Sequence, residues 1–442
     1  MDTPIDDDTE QVTEFSEPPT AHGLDFALTA VRQLDEADDG RATRYAVVHL
    51  ALCRMVSVAR ASAWAGAGLA IVAVACGRLP AGERPEAGDA PPRIVAMERT
   101  RFGGQLVVLS ENGDRAAQLT PPAGRPARDN SPAWSPDGRS LAFVSSRDRE
   151  DLLRTSLWLV EARVGAAPQR LTDTRGDVVD RDPAWLPGGD GLVFSSNRDD
   201  ATGARPGSTF DLWKVALRPG PSGRLEPGPV EQLTDAAAHE LHPSVAPDGQ
   251  VVYAQLDLRG KSSELWLVSS AGGAPRRLTS GPFDVTPSWS PDGEEVAFGA
   301  PQTTNPRAWK DADLYRIDKD GGHRRLLLEE IGDETGPVWS SDGRYVFATS
   351  VYRSVETHEP VLSSVIFIDL RDGEADGKHR ARALHDSAGP VQRSSPALAP
   401  GPLGDVALAG NKPYLEAVRD AVNTYWQRRA DELEAEGALP TR

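Results

Sequence analysis

One seven-residue phrase recurs along the chain and constrains its fold more than any other feature. It first reads Pro132-Ala133-Trp134-Ser135-Pro136-Asp137-Gly138, and it returns at residues 183–189, 243–249, 287–293 and 337–343. A degraded sixth copy covers residues 396–401, and successive copies lie 51, 60, 44, 50 and 59 residues apart. That period belongs to propeller blades rather than to helical solenoids. Proline presets the turn, Asp tolerates its third position, and Gly takes the left-handed residue that closes it. The phrase therefore predicts a strand, a tight turn and a second strand.

Alternating apolar stretches follow each turn, as at Leu141-Ala142-Phe143-Val144 and Val296-Ala297-Phe298. Third strands follow at Leu157-Trp158-Leu159-Val160, Leu212-Trp213-Lys214-Val215 and Leu265-Trp266-Leu267-Val268, and a fourth often ends in Leu-Thr, as at Leu171-Thr172 and Leu278-Thr279. Four strands make one blade, and stacked blades bury faces that a single blade would leave wet. Strands near Ile94, Leu106 and Gln118 lack an opening strand, whereas the copy at Pro396 is an opening strand without successors. Pairing the two ends predicts a closed ring of six four-stranded antiparallel blades, an all-β fold with no open sheet edge.

The phrase, the strand after it and the Leu-Thr ending resemble the TolB-type, WD40-like β-propeller family over residues 93–410. The resemblance implies the fold and, more loosely, a role in binding proteins of the cell envelope. Tol-system members carry an α/β domain ahead of the propeller; here residues 77–92, rich in Pro and Gly, form a linker to the first strand. The reading is therefore a TolB-like propeller, not the Tol-system protein itself.

Seventeen uncharged residues lie between Arg60 and Arg78 and close on Ala73-Val74-Ala75-Cys76-Gly77. That run suits a signal-peptide core better than a spanning helix, which wants about 20 apolar residues. Residues 55–76 are accordingly read as a signal peptide with a lipoprotein cleavage box, Cys76 taking the lipid. Gly77 after it implies, by resemblance, sorting to the outer membrane with the propeller on the periplasmic side. Residues 1–54 are acidic where a signal peptide should open basic, so they are read as a disordered extension or an over-extended start upstream of Met55.

The net charge is −18, of which twelve acidic and five basic side chains before Cys76 account for −7. An acidic surface repels nucleic acid, so no nucleic-acid partner is expected. The two cysteines, Cys53 and Cys76, both precede the propeller, which excludes a disulfide within it. No nucleophile elbow or phosphate loop occurs. His239-Glu240-Leu241-His242 lacks the zinc-protease spacing and leads straight into Pro243 and a strand. Neither a cofactor nor a metal is expected. The charge runs starting at Arg147 and Arg198 read as solvated hairpin loops. Residues 411–442 read as an amphipathic helix with Leu415, Val418, Val422, Trp426 and Leu433 on one stripe.

Inner strands of a propeller line its channel, and the loops before them form the rim. Those loops offer Arg128, Asn130, Arg181, Asp182, His239, His242, Asp284, Thr286, Asp333, Glu334, Gln392 and Arg393. The binding candidates are Asn130, Arg181, Asp182, His239, His242, Asp284, Glu334 and Arg393. The expected function is that of a non-catalytic, monomeric envelope lipoprotein binding a protein, peptide or glycan at the channel mouth. The alternative is a channel-centred, metal-dependent lyase or hydrolase using His239, His242 and a rim carboxylate, which requires at least three ligands converging in the channel.

Overall fold

The computed structural model describes residues 94–403 apart from 101–102, 111–113, 204–205, 302–311, 331, 354–359, 372–378, 380, 385–392 and 402, together with 412–413. Twenty-five strands form six antiparallel sheets among the described residues. Blade 1 contains β1 (Ile94–Thr100), β2 (Gly103–Leu109) and β3 (Arg115–Gln118). Blade 2 is β4 (Asp129–Trp134), β5 (Ser140–Ser145), β6 (Ser156–Glu161) and β7 (Gln169–Arg170). Blade 3 is β8 (Asp180–Trp185), β9 (Gly191–Arg198), β10 (Pro206–Pro219) and β11 (Leu225–Gln232). Blade 4 is β12 (His239–Val245), β13 (Gln250–Leu256), β14 (Ser263–Ser269) and β15 (Arg276–Arg277).

Blade 5 is β16 (Val285–Trp289), β17 (Glu295–Pro301), β18 (Ala312–Asp318) and β19 (Arg325–Leu328). Blade 6 is β20 (Asp333–Trp339), β21 (Tyr345–Arg353), β22 (Pro360–Asp369) and β23 (Arg382–Ala383). The closing strand β24 (Arg393–Leu398) pairs with β1, Ile94 opposite Leu398 and Glu98 opposite Arg393. The expected closure by the two chain ends is thus present. A short β25 (Lys412–Pro413) adds to blade 6 beside β23, so the first two residues after 411 are strand; the rest of the expected C-terminal helix lies outside the described residues. The segment 1–93, on which the expected signal peptide and Cys76 fall, lies outside them too.

The recurring phrase works as a unit of turn and blade packing. In blade 2 the Ser135 hydroxyl donates to Asp137 at 2.7 Å and accepts the Ser140 N–H at 3.0 Å. Ser290 and Ser340 repeat this arrangement in blades 5 and 6. Gly138, at φ 68°, packs so closely that a Cβ there would lie 3.0 Å from Pro400 of the preceding turn. The phrase tryptophans pack between blades, Trp134, Trp185 and Trp289 buried and Trp339 partly so: Trp185 Nε1 donates to Ala133 O at 2.9 Å and Trp339 Nε1 to Ser288 O at 3.2 Å.

The Leu-Thr ending has an equally local cause. Thr120, Thr172, Thr234 and Thr279 accept the N–H of Leu106, Leu157, Leu212 and Leu265 in the third strands of their blades. The leucines Leu119, Leu171 and Leu278 are buried. The core is a series of layers between neighbouring blades. Ala142, Val144, Leu157 and Leu159 of blade 2, for example, pack on Leu192, Phe194, Trp213 and Val215 of blade 3. Burial of side chains this size contributes about 1.5–3 kcal/mol each.

Candidate functional site: the channel and its rim

The six inner strands touch one another in ring order, β4 to β8, β12, β16, β20, β24 and back to β4. Each carries a register shift just before its proline. Such bulges re-aim one side chain and bend the strand. Here the residue before each proline has a left-handed φ: Ser131 46°, Asp182 51°, His242 54°, Thr286 49°, Gly336 62° and Ser395 51°. A residue before proline is already restricted, and a non-glycine in this region is strained by about 1–3 kcal/mol.

Several of these residues are linked by contacts that cross between neighbouring blades. The Ser395 hydroxyl donates to Asn130 Oδ1 at 3.2 Å, and Ser131 to Asp182 Oδ1 at 3.5 Å. His242 Nε2 lies 3.7 Å from Asp182 Oδ2, and the Gly336 N–H donates to Thr286 Oγ1 at 3.0 Å. His242 is held below the ordinary imidazole value, chiefly by burial; Asp182 opposes that shift and Arg181 adds to it. The ring is therefore neutral at His242 near pH 7. His242→Gly removes the strain that Gly336 already avoids in blade 6, and is expected to raise stability by about 1 kcal/mol in urea unfolding. A loss of stability would show that the imidazole holds the ring together.

At the rim, Arg181 stacks over Phe210, 5.6 Å from its centroid, and pairs with Asp182 at 3.3 Å. His239 Nδ1 accepts the Phe210 N–H at 3.2 Å, which fixes its tautomer with the proton on Nε2. Arg128 lies below its ordinary value through burial and the nearby charges of Arg181 and Arg99. Asn130, Arg181, Asp182, His239 and His242 therefore gather on neighbouring blades 2, 3 and 4. Phe210, at the end of the long insertion from Asp199, and Arg99 complete the patch.

Three rim candidates are placed differently. Asp284 and Glu334 are fully buried and Arg393 nearly so, inside the blades rather than on the channel mouth. Asp284 pairs with Arg324 at 3.1 Å, Glu334 accepts from Ser350 at 2.8 Å, and Arg393 pairs with Glu98 at 3.3 Å. They share one register position, three residues before the phrase proline, where every blade buries a charge: Asp129, Asp180, Glu240, Asp284, Glu334 and Arg393. The runs at Arg147 and Arg198 are corrected for the same reason. Their first arginines are buried against Asp129 and Asp180, each at 2.6 Å, and do not sit in open loops.

The opposite channel mouth, at the turns, mixes tryptophans and prolines with Ser135, Ser288 and Ser341. Trp134, Trp289, Trp339, Pro136, Pro291 and Pro400 border a cavity of about 220 Å³. Among the described residues no three His, Cys, Asp or Glu side chains converge on one point.

No family model matches the chain. It is 26% identical over 222 residues to the uncharacterized peptidase YuxL of Bacillus subtilis, covering 42% of this chain and 31% of that one. It is 24% identical over 216 residues to the Tol-Pal system protein TolB of Francisella tularensis subsp. mediasiatica, covering 48% and 44%. The chain thus spans less than half the length of both relatives. The crystal structure of TolB from Acinetobacter baumannii superposes with a TM-score of 0.50 at 19% identity, covering 70% of this chain and 67% of that one. Repeat phrase, six closed blades and these likenesses agree: the chain contains a TolB-like β-propeller.

Proposed function

We propose that this is a non-catalytic, lipid-anchored envelope protein whose propeller binds a protein or cell-envelope ligand at the rim of blades 2 to 4. The observation that carries the reading is the rim patch itself. Arg128, Arg181, Phe210 and His239 stand together beside Asp182 and His242. Aromatic faces with arginines and a few polar donors are the composition of protein-recognition surfaces. The likeness to proteins named for the Tol-Pal system supports an envelope setting, with Cys76 as the lipid-bearing residue on the periplasmic side of the outer membrane.

Detergent-solubilised envelope passed over the immobilised chain is expected to leave one specific partner bound. Arg181→Glu combined with Asn130→Ala should weaken that binding at least tenfold without changing the melting temperature. Equal retention by the variant would refute the rim as the site. In the same cells, Cys76→Ser is expected to move the protein from the membrane to the soluble fraction.

A further inference from the structure

Blades 2 to 5 carry a cross-strand aromatic pair at one register position: Phe143 opposite Trp158, Phe194 opposite Trp213, Tyr253 opposite Trp266, and Phe298 opposite Tyr315. Each pair lies two residues along from the partner of the buried charge and faces the preceding blade. Blades 1 and 6 have Ala96 with Val107 and Ala348 with Ile366 there instead.

In three of the four aromatic blades an arginine covers both rings and pairs with the buried acid. Arg147 lies 5.5 and 5.4 Å from the ring centroids of Phe143 and Trp158. Arg198 lies 5.1 and 5.5 Å from Phe194 and Trp213. Arg324 lies 5.0 and 4.7 Å from Phe298 and Tyr315. Arg147 and Arg198 reach in from beside the second strand, whereas Arg324 precedes the fourth. The slot recurs even though its arginine comes from different places. A desolvated guanidinium over aromatic faces with a charge-assisted bond to a carboxylate is a strong arrangement.

Blade 4 has the same walls and, among the described residues, no cation in the slot. Glu240 is 0% exposed; one oxygen accepts from the Thr234 hydroxyl, the Tyr253 hydroxyl faces the group, and Oε1 has no hydrogen-bond partner among the described residues. The position equivalent to Arg147 and Arg198, two residues beyond the acid's cross-strand partner Gln255, is Asp257 in a surface turn. Nearby cations are engaged elsewhere: Lys214 with Ser270 O and Glu231, Arg277 with Glu264. A cavity of about 340 Å³ opens instead, bordered by Glu240, Trp266, Gln255, Thr234 and Asp235. Asp211 and Asp235 add negative charge around it.

We propose that the cleft between blades 3 and 4 binds a guanidinium or alkylammonium group carried by a ligand, seated on Glu240 and over Tyr253 and Trp266. The group takes the place that Arg198 occupies in the neighbouring cleft. This site is separate from the channel rim and does not depend on it.

Calorimetric titration of the full chain at pH 8 with arginine amide, agmatine and N-acetylcitrulline amide, which carries no charge, tests the assignment. At least one of the two cations is expected to bind saturably at one site, with N-acetylcitrulline amide at least tenfold weaker. Glu240→Gln should weaken cation binding at least tenfold. Asp257→Arg should do the same by placing an arginine in the slot, as in blades 2 and 3, with the fold checked by circular dichroism. Arg181→Glu at the rim should leave it unchanged, which separates this site from the channel. Preference for arginine amide would assign the group to a peptide or protein, and preference for agmatine to a free amine. No saturable binding, or equal binding by wild type and Glu240→Gln, would overturn the proposal.

Discussion

Replacing Arg198 by methionine is expected to lower the unfolding free energy by about 3–5 kcal/mol, the range for removing one partner of a buried ion pair. Its guanidinium lies 2.7 and 2.6 Å from the two Asp180 oxygens, its Nε donates to Ser196 Oγ at 3.0 Å, and it covers Phe194 and Trp213. Arg198 is 2% exposed and Asp180 0%. Methionine keeps part of the packing but leaves a carboxylate that no water can reach. The cost should therefore come from the stranded charge more than from lost contacts. A second change tests this: Asp180→Leu in the Arg198→Met background should recover most of the stability, since an apolar pair of similar volume is often neutral. The measurement is the urea midpoint followed by tryptophan fluorescence. A shift below about 1 kcal/mol for the single variant would mean that water reaches the pair. Lys319→Met, which breaks the exposed Lys319–Glu294 pair, should leave the midpoint unmoved.

The same pair shows where reading the sequence stops. The phrase gave the inner strand, the turn and the second strand, since proline, serine, aspartate and glycine act through local backbone geometry. Closure was legible as well, because an opening strand without successors at Pro396 complements successors without an opening strand at Ile94. The direction in which Asp180, Asp284 and Glu334 point was not legible. A bulge separates them from the proline, and a one-residue change of register moves a side chain to the other face. In composition, Asp284 and Thr286 are equally good rim residues; only the bulge makes one a buried ion and the other a channel residue. Arg147 and Arg198 open runs of charges that look solvated. Their repetition at one position after Ser145 and Ser196, each opposite an acid three residues before a proline, was the available signal. Phe210 was legible only as the end of a long insertion between the second and third strands, because its place beside His239 is set by tertiary packing.

Glu240→Gln is expected to be more stable than wild type at pH 8 by up to roughly 3 kcal/mol, and equal to it at pH 4.5. Burial, with the Asp211 charge adding, pushes the Glu240 carboxyl from its ordinary 4.5 up to about 7 against the bond from Thr234. Between these values the unfolded chain is ionised while the folded protein keeps the proton. Stability is therefore full below about pH 4.5, falls as pH rises toward 7, and is flat above. Asp211, raised to about 6 by burial and then by Asp235, acts with the same sign in an overlapping window. Glutamine can still accept from Thr234 but has no charge to desolvate, so its profile should lack the Glu240 part of the slope. Parallel profiles for the two proteins would show that the carboxyl is solvated and its proton unremarkable. Arginine amide gives a further readout, because a cation seated on Glu240 favours the ionised acid in the folded state. Saturating ligand should therefore stabilise wild type most at pH 8 and progressively less toward pH 5. Glutamine in place of Glu240 should remove both the pH slope and the ligand's stabilising effect. A single unpaired carboxylate, in a slot that three neighbouring blades fill with arginine, accounts for the two losses together.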